Sequence, residues 1–124
     1  MYRKAMTLSP LAADHVQRPR HRGPLQDAAY GVSGSPGDGP YVEVWARVEG
    51  GVVREAAFRT PGCPSSTASA SLLCELATGR DVDRVRDLTG EDLLRILGGL
   101  PEGKESYARM SVEAMRSALG ARGR

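Results

Sequence analysis

Aromatic side chains are scarce in this sequence: one Trp, one Phe and four Tyr among 124 residues. Aliphatic residues and alanine must therefore fill any core. Cysteine and histidine each occur twice, too few for a disulfide framework. No apolar run approaches the ~20 residues that cross a bilayer. The basic start MYRKAM is followed by Ser9 and Pro10 instead of an apolar stretch, so neither a membrane span nor a signal segment is expected. These absences point to a cytoplasmic protein. The net charge of +2 at pH 7 gives no case for a nucleic-acid partner. The basic clusters RPRHRG (18–23) and ARGR (121–124) read as solvated surface.

Glycine and proline are plentiful, at 15 and 8 residues, and they punctuate one domain over residues 9–120. Residues 1–8 lack periodicity and are expected to be a flexible start, with 121–124 as a basic tail. Ser9-Pro10 sets a helix start, a hydroxyl cap followed by a residue whose missing N–H costs nothing there. That helix should stop near Gln17, before Pro19. YVEVWARVE (41–49) alternates, with Val42, Val44, Ala46 and Val48 on one face and Tyr41, Glu43, Trp45 and Arg47 on the other. Gly50-Gly51 turns it into a partner strand at 52–60, and 28–34 reads as a third strand. Helices follow: 64 to about 78, opened by Pro64, with Ala68, Leu72 and Leu76 toward the sheet; a short turn at 82–86; 90–98, opened by a Thr89/Asp92 capping box; and about 104–119, burying Ala108, Val112, Met115 and Leu119. Strands first and helices after predict an α+β fold, a small three-stranded antiparallel sheet with helices on one face.

Two stretches carry candidate chemistry. SGSPGDGP (33–40) is a glycine loop with one carboxylate, Asp38. A phosphate-binding loop would need a following lysine, hydroxyl and helix; a strand follows instead, so that reading fails. TPGCPSS (60–66) places Cys63 at a helix N-terminus, beside free N–H groups and the positive end of the dipole, where a reactive or ligating thiol is favoured. The competing reading is a small buried cysteine. Cys74, eleven residues along the same helix, is about 16 Å from Cys63 at 1.5 Å per residue, beyond disulfide reach. It reads as core. His15 reads as structural and His21 as part of the basic loop.

Together, three segments resemble the iron–sulfur cluster assembly scaffolds of the IscU and NifU N-terminal type. They are DHVQRPRHRG (14–23), FRTPGCPSSTASASLLCEL (58–76) and LPEGKESYARMSVEAMRSAL (100–119). The resemblance implies a site at one tip, formed by three cysteines and a carboxylate. It binds a [2Fe–2S] cluster or zinc and takes sulfur from a cysteine desulfurase. On these positions Asp38 keeps the carboxylate and Cys63 keeps the second cysteine. Pro36 stands where the first cysteine belongs, and Ser106 and Tyr107 stand where a histidine and the third cysteine belong. Those three residues are not expected to ligate, so two of the three family cysteines are absent. Lys104 remains, within a Leu-Pro-Glu-Gly-Lys stretch in place of Leu-Pro-Pro-Val-Lys.

Three functions follow as expectations. The first is a non-enzymatic scaffold handling iron or zinc and sulfur through Cys63 and Asp38, in which a homodimer would supply two thiolates and two carboxylates. The second is a docking module for a cysteine desulfurase or another assembly factor, carrying no cluster. The third, ranked last, is a thiol enzyme using Cys63 with His15 or His21 as base.

Overall fold

The computed structural model describes residues 8–61 and 63–120; the expected flexible start (residues 1–7 of it) and the basic tail lie outside them. Helix α1 (Pro10–Gln17) is followed by strands β1 (Ala29–Gly34), β2 (Tyr41–Glu49) and β3 (Val52–Arg59). Helices α2 (Pro64–Ala77), α3 (Val82–Arg86), α4 (Gly90–Leu97) and α5 (Ser106–Leu119) complete the chain. The strands form one antiparallel sheet in the order β1-β2-β3, with α2 and α5 packed on it. The expected α+β layout is the one observed.

Local chemistry sets the boundaries. Ser9 Oγ accepts the Ala12 N–H at 3.1 Å, the Thr89–Asp92 box is closed in both directions, and α5 ends at Gly120. The last helix starts at Ser106 instead of 104, because Pro101 to Lys104 form a turn closed by Lys104 N–H to the Pro101 carbonyl at 3.0 Å. Gly103, at φ 86°, supplies the left-handed third position of that turn.

Helix α2 is the centre of the molecule, buried without a break from Ser65 to Cys74. Its small residues let α1, β3, α4 and α5 all approach it. Buried hydroxyls are costly without partners. Ser66 donates to the Cys63 carbonyl at 2.9 Å, and Ser69 to the Ser65 carbonyl at 2.8 Å. Ala68 and Leu72 are in the core as expected, but Leu76 is only partly buried, as is Leu119 in α5. Helix α5 crosses β1 at Gly31, where an added Cβ would lie 2.1 Å from the Ala114 carbonyl oxygen. Backbone meets backbone there, which is why a strand contains a glycine.

The facing of β2 differs from its simple alternation. Val48 is 40 % exposed, next to a register shift between Arg47 and Val48. Glu43 and Trp45, on the face opposite Val42, Val44 and Ala46, are buried as well. The chain entering β1 accounts for this. His21 to Gly23 run beside β3, exchanging hydrogen bonds with both main-chain groups of Phe58. Gly23 lies so close to the Trp45 ring that a Cβ would be 2.8 Å from it. Glu43 is held by Tyr30 Oη (2.6 Å) and Arg59 Nε (2.8 Å). Burial alone would raise its pKa, but these hydrogen bonds outweigh burial and hold it below the usual carboxylate range.

Candidate functional site

The topology gathers the candidate positions at one end of the sheet. The β1–β2 connection, 35–40, leaves that end, and β3 finishes there, with Thr60 Oγ1 donating to the Tyr41 carbonyl at 2.7 Å. Cys63 follows three residues later as the N-cap of α2. Along β1, Gly31 meets Ala114 and Ala118, while Ser33 donates to Glu113 Oε1 at 2.9 Å. Helix α5 therefore runs antiparallel to β1, and its N-terminus points to the same end.

Residues 35–38 form a turn closed by Asp38 N–H to the Ser35 carbonyl at 2.9 Å. Pro36 is its second residue and Gly37, at φ 86°, its third, the type II pattern. Asp38 is exposed. The loop is pinched at its base, where a Cβ on Gly34 would lie 2.3 Å from the Pro40 carbonyl oxygen, and open at Gly37 and Gly39, which have nothing within 4 Å.

Cys63 is half-buried and free of any disulfide, and its side chain makes no cap hydrogen bond. Its carbonyl accepts from Thr67 N–H and Ser66 Oγ, both at 2.9 Å. The residue is thus anchored by its backbone, while its thiol makes no hydrogen bond among the described residues. It lines a groove of about 440 Å³ with Leu8, Ser65, Pro101, Glu102 and Lys104 among the other lining residues. Ser106 and Tyr107 open α5 but do not line this groove, and neither does Asp38. Glu102, a carboxylate given no role in the sequence reading, does line it; the turn at Pro101–Lys104 is the signal that could have found it. Among the described residues, no three His, Cys, Asp or Glu side chains gather closely enough to hold a metal ion.

Cys74 is fully buried, and burial pushes its thiol pKa up, in line with a core role. His15 is buried too, with Nδ1 2.7 Å from Ser71 Oγ. Its Nε2 is 3.3 Å from Glu75 Oε1 without hydrogen-bond geometry. Serine, histidine and carboxylate stand in a row here, but Ser71 is fully buried and also accepts the Arg20 N–H at 3.0 Å. The group ties α1 to α2. Ser71 is eight residues from Cys63, about 12 Å along the helix, so His15 is not placed as a base for that thiol. His21 is engaged through its main chain with Phe58.

Comparison with known proteins agrees with this fold. The NifU-like N terminal domain model matches residues 8–122. An Archaeoglobus fulgidus protein named iron-sulfur cluster assembly scaffold protein IscU 1 is 30 % identical over 107 residues, 86 % of this chain and 70 % of its own. The IscU scaffold protein of Aquifex aeolicus is 33 % identical over 109 residues, covering 86 % and 69 %. A crystal structure of a scaffold protein for the SUF system from Fervidobacterium islandicum, described as putative, superposes with a TM-score of 0.69 at 16 % identity. It covers 90 % of this chain and 96 % of that one, and so supports the fold. No helix among the described residues is long and apolar enough to cross a membrane. The chain belongs to the NifU-like N terminal domain family, which includes the IscU-type scaffolds.

Proposed function

We propose that this chain is a scaffold-type protein of iron–sulfur cluster assembly, with Cys63 as its working thiol and Asp38 as an accessory carboxylate. The observation that carries this is Cys63 itself: backbone-anchored at the N-terminus of α2, with an uncommitted side chain opening on a groove. Thiolates suit iron and zinc because both accept soft, anionic sulfur. A cysteine desulfurase is the partner class that would supply sulfur, as a persulfide on Cys63.

The cargo is a substrate, and a single chain presents an incomplete ligand set for it. A [2Fe–2S] cluster takes four ligands, whereas one chain offers one accessible thiol, with Asp38 at the same end of the sheet. Pro36 has no side-chain donor, and a tyrosine hydroxyl with its pKa near 10 is a poor ligand at neutral pH. Two chains meeting at this end would bring two thiolates and two carboxylates. Zinc or iron held between two copies, or sulfur carried on Cys63 alone, is the form of handling this residue set supports.

Anaerobic loading with iron, sulfide and a desulfurase, followed by metal and persulfide analysis, tests the reading. Wild type is expected to carry metal or sulfane sulfur, and Cys63→Ala to carry none. Equal loading of the two would remove Cys63 from its role. No loading of wild type, with a desulfurase still co-purifying, would favour a docking module.

A further inference from the structure

We propose that the groove beside Cys63 receives small zwitterionic disulfides of the cysteine type, and that Cys63 is their site of S-thiolation. The groove, about 440 Å³, is lined by the apolar Leu8, Pro64 and Pro101, with Cys63, Glu102 and Lys104 among its polar residues. An apolar wall carrying a few polar groups, at this size, suits a small molecule. Cys63 is half-buried and its side chain makes no cap hydrogen bond, so its sulfur is free to meet a ligand. Cys74, fully buried on the same helix, is not.

Two opposite charges decide which small molecule fits. Glu102 and Lys104 are both exposed, and neither side chain pairs with the other or with any group among the described residues. The chain that carries them is fixed. Lys104 N–H closes the turn on the Pro101 carbonyl at 3.0 Å, Gly103 takes the left-handed position at φ 86°, and Glu105 Oε1 accepts the Gly103 N–H at 3.0 Å. One turn therefore presents a carboxylate and an ammonium to the groove, each without a partner. Their complement is a small body with an ammonium and a carboxylate of its own, an amino acid. The thiol between them selects an amino acid with sulfur. In the reaction the Cys63 thiolate attacks one sulfur of a disulfide R–S–S–R. The Cys63–S–S–R bond forms, the old S–S bond breaks, and R–S⁻ leaves and takes a proton from water. The Cys63 sulfur is oxidised and the departing sulfur is reduced, with the disulfide as the oxidant.

That this modification closes the groove to metal or sulfur rests on Cys63 being the working thiol, but the reaction itself is measured without that assumption. Mass spectrometry of the intact chain gives the rate of mixed-disulfide formation at Cys63, each rate divided by that of the same reagent with a free small thiol. Three reagents separate the charges: cystine carries both on each half, cystamine only the ammonium, and dithiodipropionate only the carboxylate. Cystine should react fastest. Lys104→Ala should slow cystine and dithiodipropionate by about threefold, the loss of one exposed charge contact, without slowing cystamine. Glu102→Gln should slow cystine and cystamine to the same degree without slowing dithiodipropionate. Cystine reacting no faster than the singly charged reagents in wild type would overturn the proposal. So would variants that slow all three reagents alike, because that reports a change in the thiol and not a matched charge. Neither result bears on whether Cys63 carries metal or sulfur, so the two readings fail separately.

Discussion

Gly31 and Gly37 are the same residue used for opposite reasons, and the difference separates the frame of this molecule from its tip. Gly31 is in an extended strand with the backbone of α5 pressed against it; the space of a single methyl is already filled by the Ala114 carbonyl. Gly37 has empty space around it and a φ of 86°; it serves the turn and touches nothing. The frame is specified by contact, the tip by local backbone angles. A tip specified by its own turn can change residues such as Pro36 without disturbing the sheet behind it.

The comparison is broken most sharply at Gly31. Gly31→Ala should cost about 3 kcal/mol or more through overpacking against helix backbone, read as a lowered midpoint in urea unfolding or as failure to accumulate folded protein. A mild effect would mean that α5 does not sit on β1 as described. Next in size is a gain of function at the tip. Introducing thiols with Pro36→Cys and Tyr107→Cys should raise zinc or iron bound per chain while leaving the urea midpoint near wild type. No gain in bound metal would show that the frame no longer brings these positions together.

The pH dependence is smaller and has a defined sign. Burial, reinforced by the Arg20 charge, lowers the His15 pKa below its ordinary 6.5, with Glu75 and Asp14 opposing. The unfolded chain therefore takes up a proton first as the pH falls. The stability of the neutral, buried ring is fully present above about pH 6.5 and is lost progressively below it, toward the lowered folded value. Urea midpoints for wild type and His15→Gln, measured between pH 7.5 and 5, should show a smaller acid loss in the variant. Parallel curves would contradict the assignment. The smallest effect belongs to Gly37→Ala, about 1 kcal/mol of left-handed strain with no packing cost and an unchanged frame by circular dichroism.

What was legible in the sequence follows the same division. Element boundaries were readable because short-range chemistry sets them: Ser9-Pro10, Cys63-Pro64, the Thr89–Asp92 pair and Gly120 all act within one turn of chain. The family resemblance, too, rests on short segments. Long-range contacts were not readable. Nothing in YVEVWARVE announces that Glu43 and Trp45 will be covered, because the cover is supplied by Gly23 and Arg59, many residues away. Likewise Glu102 joins Cys63 only through the packing of the Pro101–Lys104 turn against the start of α2. The sequence offered Cys63 and Asp38 as candidates, but nothing in it announced the wall of the groove beside Cys63, which includes Leu8 from beside α1.

The central claim is that Cys63 carries the cargo and that one chain alone does not complete a cluster. Native mass spectrometry after oxygen-free loading with iron and sulfide tests it most directly. The account predicts any [2Fe–2S] mass on a species of two chains, lost in Cys63→Ala, with single chains carrying at most one metal ion or sulfane sulfur. A complete cluster on a single chain, or cluster loading that survives Cys63→Ala, would contradict it.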